Sequence, residues 1–76
     1  MSRYQFFTTE GCHLCEQAWQ QVLLLGLQNE MTSVEIIHDE THVERYGIRI
    51  PVILDTMTER EIGWPFDVEL LAKFIA

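Results

Sequence analysis

Basic residues are scarce in this 76-residue chain: five Lys and Arg stand against twelve Asp and Glu, a formal net charge of −7. That balance excludes a surface built for phosphates, so neither nucleic acid nor an anionic membrane is an expected partner. Long apolar runs are missing too. No stretch nears the ~20 apolar residues that span a bilayer. Met1-Ser2-Arg3-Tyr4 carries neither an apolar signal run nor a small-residue cleavage site. A cytoplasmic location is therefore the default expectation. Only two cysteines are present, too few for the disulfide scaffold of a small secreted protein. What is there is ordinary: 47% hydrophobic and 22% charged residues describe a globular chain rather than a disordered one. The length admits a single domain over 1–76, with a modest core.

Tyr4–Thr8 is aromatic and β-branched and predicts a short buried strand. Thr9-Glu10-Gly11 is a turn-forming link. A helical pattern then runs from about His13 to Asn29. Leu14, Ala18, Val22 and Leu25 make one apolar stripe, and Leu23, Leu24 and Leu27 widen it, so cover on more than one side is expected. Trp19 falls off the stripe, and Gly26 reads as a close-packing or fraying point rather than a stop. Ser33–His38 is a second strand candidate. Asp39 is placed to cap a short helix over Glu40–Tyr46, with Gly47 as its stop. Ile48–Leu54 reads as a strand around Pro51, which belongs at the strand's first residue because proline donates no ladder hydrogen bond. Asp55–Glu59 is a turn and Arg60–Trp64 its antiparallel return. Asp67 caps a last helix from Val68, with Phe66 and Leu71 as a hydrophobic staple. Leu70, Leu71 and Phe74 form its buried face. The order predicts an α/β fold: a right-handed parallel crossover first, then a hairpin, giving a four-stranded mixed sheet flanked by helices.

The two cysteines, Cys12 and Cys15, stand two residues apart where the first strand gives way to the first helix. Disulfide exchange needs a thiolate to attack a sulfur and a second thiol to resolve the mixed disulfide. A helix N-terminus supplies both unpaired N–H groups and a partial positive charge that stabilise a thiolate. His13 adds to that effect when protonated, whereas Glu10 and Glu16 oppose it, so a modest lowering of the Cys12 pKa is expected. Cys12 is then the nucleophile and Cys15 the resolving thiol. A purely structural staple is a poorer reading, since a four-residue loop contributes only about 2 kcal/mol in the loop-entropy model. A closed zinc site needs four ligands, and no second cysteine pair exists. His38 and His42 lie four apart, but nothing in the sequence places them beside Cys12. No metal site is expected.

These features resemble the thioredoxin superfamily, and within it the short bacterial glutaredoxin-like proteins. The resemblance spans nearly the whole chain. It rests on Phe6-Phe7-Thr8 ahead of Cys12-His13-Leu14-Cys15, and on Tyr46-Gly47-Ile48-Arg49-Ile50-Pro51-Val52. It implies a thioredoxin-like (glutaredoxin-like) fold in which Pro51 is cis and faces the cysteine pair. It also implies that Ile50 offers backbone hydrogen bonds to a bound substrate chain. Three departures from glutaredoxins count against glutathione. His13-Leu14 replaces the usual dipeptide between the cysteines, Gly63-Trp64-Pro65-Phe66-Asp67 replaces a Gly-Gly followed by Asp, and Glu10 stands where a basic residue is common. Arg49 is the one basic residue near the expected groove.

The leading expectation is a thiol–disulfide oxidoreductase, monomeric and without a bound cofactor, acting on a protein disulfide or on glutathione as co-substrate. Catalysis falls to Cys12 and Cys15, and substrate binding to His13, Arg49, Ile50 and Pro51. Two alternatives stay open: a redox-inert protein-binding module of the same fold, with Trp64 and Phe66 as exposed anchors, and a metal or iron–sulfur carrier using the two thiolates with outside ligands.

Overall fold

Strand β1, Tyr4–Thr8, sets up the architecture because its side chains alternate between two covered faces. Tyr4 and Phe6 enter one buried cluster, and Phe7 enters another on the opposite side of the sheet. The computed structural model describes residues 2–76. After β1 come α1 (His13–Leu24), a 3₁₀ turn over Gln28–Glu30, and β2 (Met31–Glu35). A second 3₁₀ turn over Ile36–His38 leads to α2 (Glu40–Tyr46), β3 (Val52–Asp55), β4 (Glu61–Gly63) and α3 (Val68–Ile75).

The sheet order is β2-β1-β3-β4. β1 runs parallel to β2, with Phe6 opposite Ser33, and antiparallel to β3, with Phe6 opposite Ile53. β3 pairs antiparallel with β4, completing the mixed four-stranded sheet. The larger cluster joins Tyr4, Phe6 and Ile53 to Cys15, Ala18 and Val22 of α1 and Leu71 of α3. The smaller one joins Phe7 and Val52 to Ile36 and to Tyr46 of α2, whose ring stacks on Phe7 with centroids 4.1 Å apart.

Capping accounts for most helix boundaries. The Asp39 carboxylate accepts from Thr41 N–H at 2.9 Å and His42 N–H at 3.3 Å, starting α2 as expected. Asp67 accepts from Leu70 N–H at 2.8 Å, and Phe66 and Leu71 are both buried, as a staple requires. α1 ends earlier than its leucines suggest. Gly26 adopts φ +69°, its N–H donates to Leu23 O at 3.0 Å, and Leu27 N–H donates to Val22 O at 3.0 Å. This pair of bonds is a Schellman stop, so Gly26 ends the helix rather than fraying it.

Other expectations need correction. The buried stripe of α1 is Cys15, Ala18 and Val22, while Leu14, Leu23 and Leu24 are exposed, so the helix is covered on one side only. β2 begins two residues earlier than predicted, at Met31, and its predicted end coils into a 3₁₀ turn. Ile48 and Arg49 lie in the turn after α2, and β3 starts only after Pro51. In α3, Leu70 is exposed, leaving Leu71 buried and Phe74 half-buried. Phe66 is a core residue rather than an exposed anchor.

Candidate redox site

The link from β1 to α1 is short and braced. Gly11 takes φ +79°, a conformation open to glycine at little cost, and Cys12 N–H donates to Thr9 O at 3.3 Å. Glu35, opposite Thr8 at the end of β2, holds the turn from outside. Its Oε1 accepts from the Thr9 hydroxyl at 3.0 Å and from Glu10 N–H at 3.2 Å.

That turn delivers Cys12 to the N-cap of α1. Its Sγ accepts a hydrogen bond from Cys15 N–H at 3.2 Å, the role an oxygen side chain usually takes at a cap. Cys12 and Cys15 form a disulfide, with Cα atoms 5.2 Å apart. Cys15 is buried in the larger cluster, whereas Cys12 is only partly covered. Cys12 is therefore the more accessible of the two cysteines. The intervening residues point away from the core: the His13 side chain is 91% exposed, with Nδ1 3.6 Å from Glu16, and Leu14 is also exposed.

The Ile50–Pro51 peptide is cis. Pro51 is buried and accepts from Trp64 N–H at 3.1 Å, and Cys12, Ile50 and Trp64 all border the larger core cluster. Ile50 N–H donates to Tyr46 O at 3.0 Å. Arg49 does not extend freely: it donates to Glu61 Oε1 at 2.7 Å and lies over the Tyr46 ring at 5.5 Å. Glu61 also accepts from the Tyr46 hydroxyl at 2.8 Å and meets Arg45 at 3.5 Å. Partial burial pushes the Glu61 pKa up, but the bonds from Arg49 and Tyr46 outweigh it and leave the group below its ordinary value. Burial, with the Glu61 bond behind it, raises the Tyr46 pKa.

A cleft of about 310 Å³ opens beside the disulfide. Phe6 and Trp19 line it, edge to face at 5.2 Å, with Gln20 from α1, Ser33 from β2 and both cysteines. Sequence reasoning missed this feature, placing Trp19 merely off the helical stripe. Trp19 lies four residues after Cys15 and seven after Cys12, so helical spacing alone puts all three on one face. Ser33 enters only through the register that sets it against Phe6. Among the described residues, no three His, Cys, Asp or Glu side chains converge as a metal-binding group, and no helix is long and apolar enough to cross a membrane. His42 packs edge-on against Phe7 at 5.2 Å.

A family model described as "Glutaredoxin-like domain (DUF836)" matches residues 3–76. Among solved structures, the chain is similar to Northeast Structural Genomics target protein XcR50 from X. campestris. The X-ray structure of that protein is 33% identical with a TM-score of 0.85, over 95% of this chain and 93% of that one. Its solution structure gives the same identity and TM-score over 99% and 92%. No curated protein matches the chain.

Proposed function

The chain belongs to the glutaredoxin-like domain family (DUF836), and from that premise we propose that it is a cytosolic, monomeric thiol–disulfide oxidoreductase. The observation that carries the reading is the half-exposed Cys12 at the N-cap of α1, with the buried Cys15 one turn on and its N–H aimed at the Cys12 sulfur. That N–H and the helix dipole stabilise a Cys12 thiolate.

In the reduced protein the Cys12 thiolate attacks one sulfur of a substrate disulfide. The Cys12–substrate bond forms as the substrate S–S bond breaks, and the first substrate thiolate leaves. Cys15, giving its proton to that leaving thiolate directly or through water, then attacks Cys12 Sγ. The Cys12–Cys15 disulfide forms and the second substrate thiolate departs. Two electrons pass to the substrate, and an external thiol reductant restores the pair. The reverse sequence oxidises a dithiol.

Substrate contact falls to His13, exposed between the cysteines, and to the Arg49-Ile50-Pro51 flank. With Ile50 N–H engaged by Tyr46, the carbonyl is the group Ile50 offers a partner chain. With Arg49 answered by Glu61, little positive charge is left to hold glutathione, so a protein disulfide is the favoured substrate.

The test is equilibration in defined glutathione redox buffers, followed by alkylation and mass spectrometry. A two-electron Cys12–Cys15 transition between about −120 and −270 mV supports the reading. A disulfide that never forms, or never yields to reductant, overturns it in favour of a redox-inert binding module.

A further inference from the structure

The cleft beside the disulfide is separate from the Pro51 flank. In the sheet order, β2 lies on one side of β1 and β3 on the other. The cleft takes its strand residues from β1 and β2, and neither Ile50 nor Pro51 lines it. Because Cys12 itself lines the cleft, a polypeptide that offers its sulfur to Cys12 brings the side chains next to that sulfur beside it.

The lining has a definite chemistry. Phe6 and Trp19 give it apolar walls, and Thr9, Gln20 and Ser33 add neutral polar ones. Among the lining residues Glu16 is the only one with a charged side chain, and no Lys or Arg is present. Glu10 and Glu35 stand next to the cleft on the braced turn and on β2. His13 approaches Glu16 only at 3.6 Å, and the Glu16 side chain is itself 76% exposed, which leaves its carboxylate open to an incoming cation. A volume of about 310 Å³ suits one large side chain or a small ligand. An aliphatic stem against Phe6 and Trp19 with a cationic head at Glu16 satisfies every wall, because Lys and Arg bury their stems while keeping the charge solvated. An indole face adds attraction for the cation.

We propose that this cleft is a specificity subsite for a Lys or Arg side chain flanking the reacting cysteine of a polypeptide disulfide. The proposal deepens the oxidoreductase reading and rests on it.

The test uses the reduced full-length protein and peptides whose single cysteine is disulfide-linked to 2-mercaptoethanol. Lys, norleucine or Glu is placed on both sides of that cysteine, and hydroxyethyl disulfide serves as an uncharged reference. The expected rate order is Lys, norleucine, Glu, with a Lys-to-Glu ratio of about tenfold or more at low salt. Glu16→Gln lowers that ratio about threefold, in line with one exposed charge, while Glu44→Gln, the same charge change on α2, lowers it less. Ser33→Trp, which fills the cleft, slows the Lys and norleucine peptides and collapses the spread. A flat series, or equal effects of Glu16→Gln and Glu44→Gln, overturns the subsite while leaving exchange chemistry intact. Failure to reduce any of these disulfides, peptide or hydroxyethyl, overturns the oxidoreductase reading and the subsite with it.

Discussion

The two cysteines differ in burial. Cys15 is 4% exposed and Cys12 is partly open, so their serine variants should fail differently. Cys12→Ser is expected to abolish exchange, whereas Cys15→Ser should attack substrate and stop at a Cys12 mixed disulfide visible by mass spectrometry. Trapping by Cys12→Ser instead would reverse the assignment, and equal trapping by both variants would abolish it. Asp55 is the other residue whose setting predicts behaviour. It is fully buried, and its carboxylate takes two hydrogen bonds from Arg3, at 2.9 and 2.8 Å, and a third from Met57 N–H at 3.0 Å. The Arg3 bond, opposed by burial and helped by the backbone donor, holds its pKa well below the usual carboxylate range. A depressed folded-state pKa means stability that is fully present above the unfolded value of about 3.9 and drains away as pH falls below it. Asp55→Asn should therefore lower the urea midpoint at pH 7, and the gap to the parent protein should close in strongly acidic solution. A gap that persists unchanged at low pH would show that the loss is steric rather than ionic.

At the scale of elements, the stop at Gly26 makes a sharp prediction. Its φ of +69° lies in the left-handed region, and an added Cβ would meet nothing within 4 Å. Gly26→Ala should thus cost only the backbone penalty, about 1–2 kcal/mol. In a domain of this size each kcal/mol corresponds to about 4–8 °C in thermal midpoint, readable by circular dichroism. No change would mean that α1 does not depend on this stop. The same position marks where the sequence was hard to read. Leu23, Leu24, Leu25 and Leu27 suggest a longer helix, and only the two backbone bonds across Gly26 reveal that the chain has already turned. The sequence of elements along the chain, the Asp39 and Asp67 caps, the Phe66–Leu71 staple and the Cys12–Cys15 placement were legible because local patterning or side-chain chemistry dictates each. The β2 register, the Arg49–Glu61 pairing and the Ser33 side of the cleft were not, since each depends on residues brought together from separate elements.

At the scale of the molecule, charge is unevenly answered. Of the five basic side chains, Arg3, Arg45 and Arg49 pair with just two carboxylates, Asp55 and Glu61. Most of the remaining acidic surface has no such counterweight, and a net −7 works against the folded state through self-repulsion. Adding about 0.5 M sodium chloride shortens the screening length to a few ångströms. It should therefore raise the thermal midpoint by a few degrees, as scanning calorimetry would record. A falling midpoint would mean that the Arg pairs matter more than the repulsion.

The placement of β1 has a temporal consequence. It is the first strand in the chain yet lies inside the sheet, between β2 and β3. On a ribosome it emerges with neither edge covered, and its second neighbour is complete only once Asp55 has been made. Phe6 and Phe7, destined for opposite faces, stay wet through that interval. A nascent chain halted before Val52 lacks the partner that closes the sheet, so it presents an apolar strand with an open edge to other chains. Synthesis speed between the codons for Tyr4 and Asp55 thus sets how long each new copy stays vulnerable to aggregation.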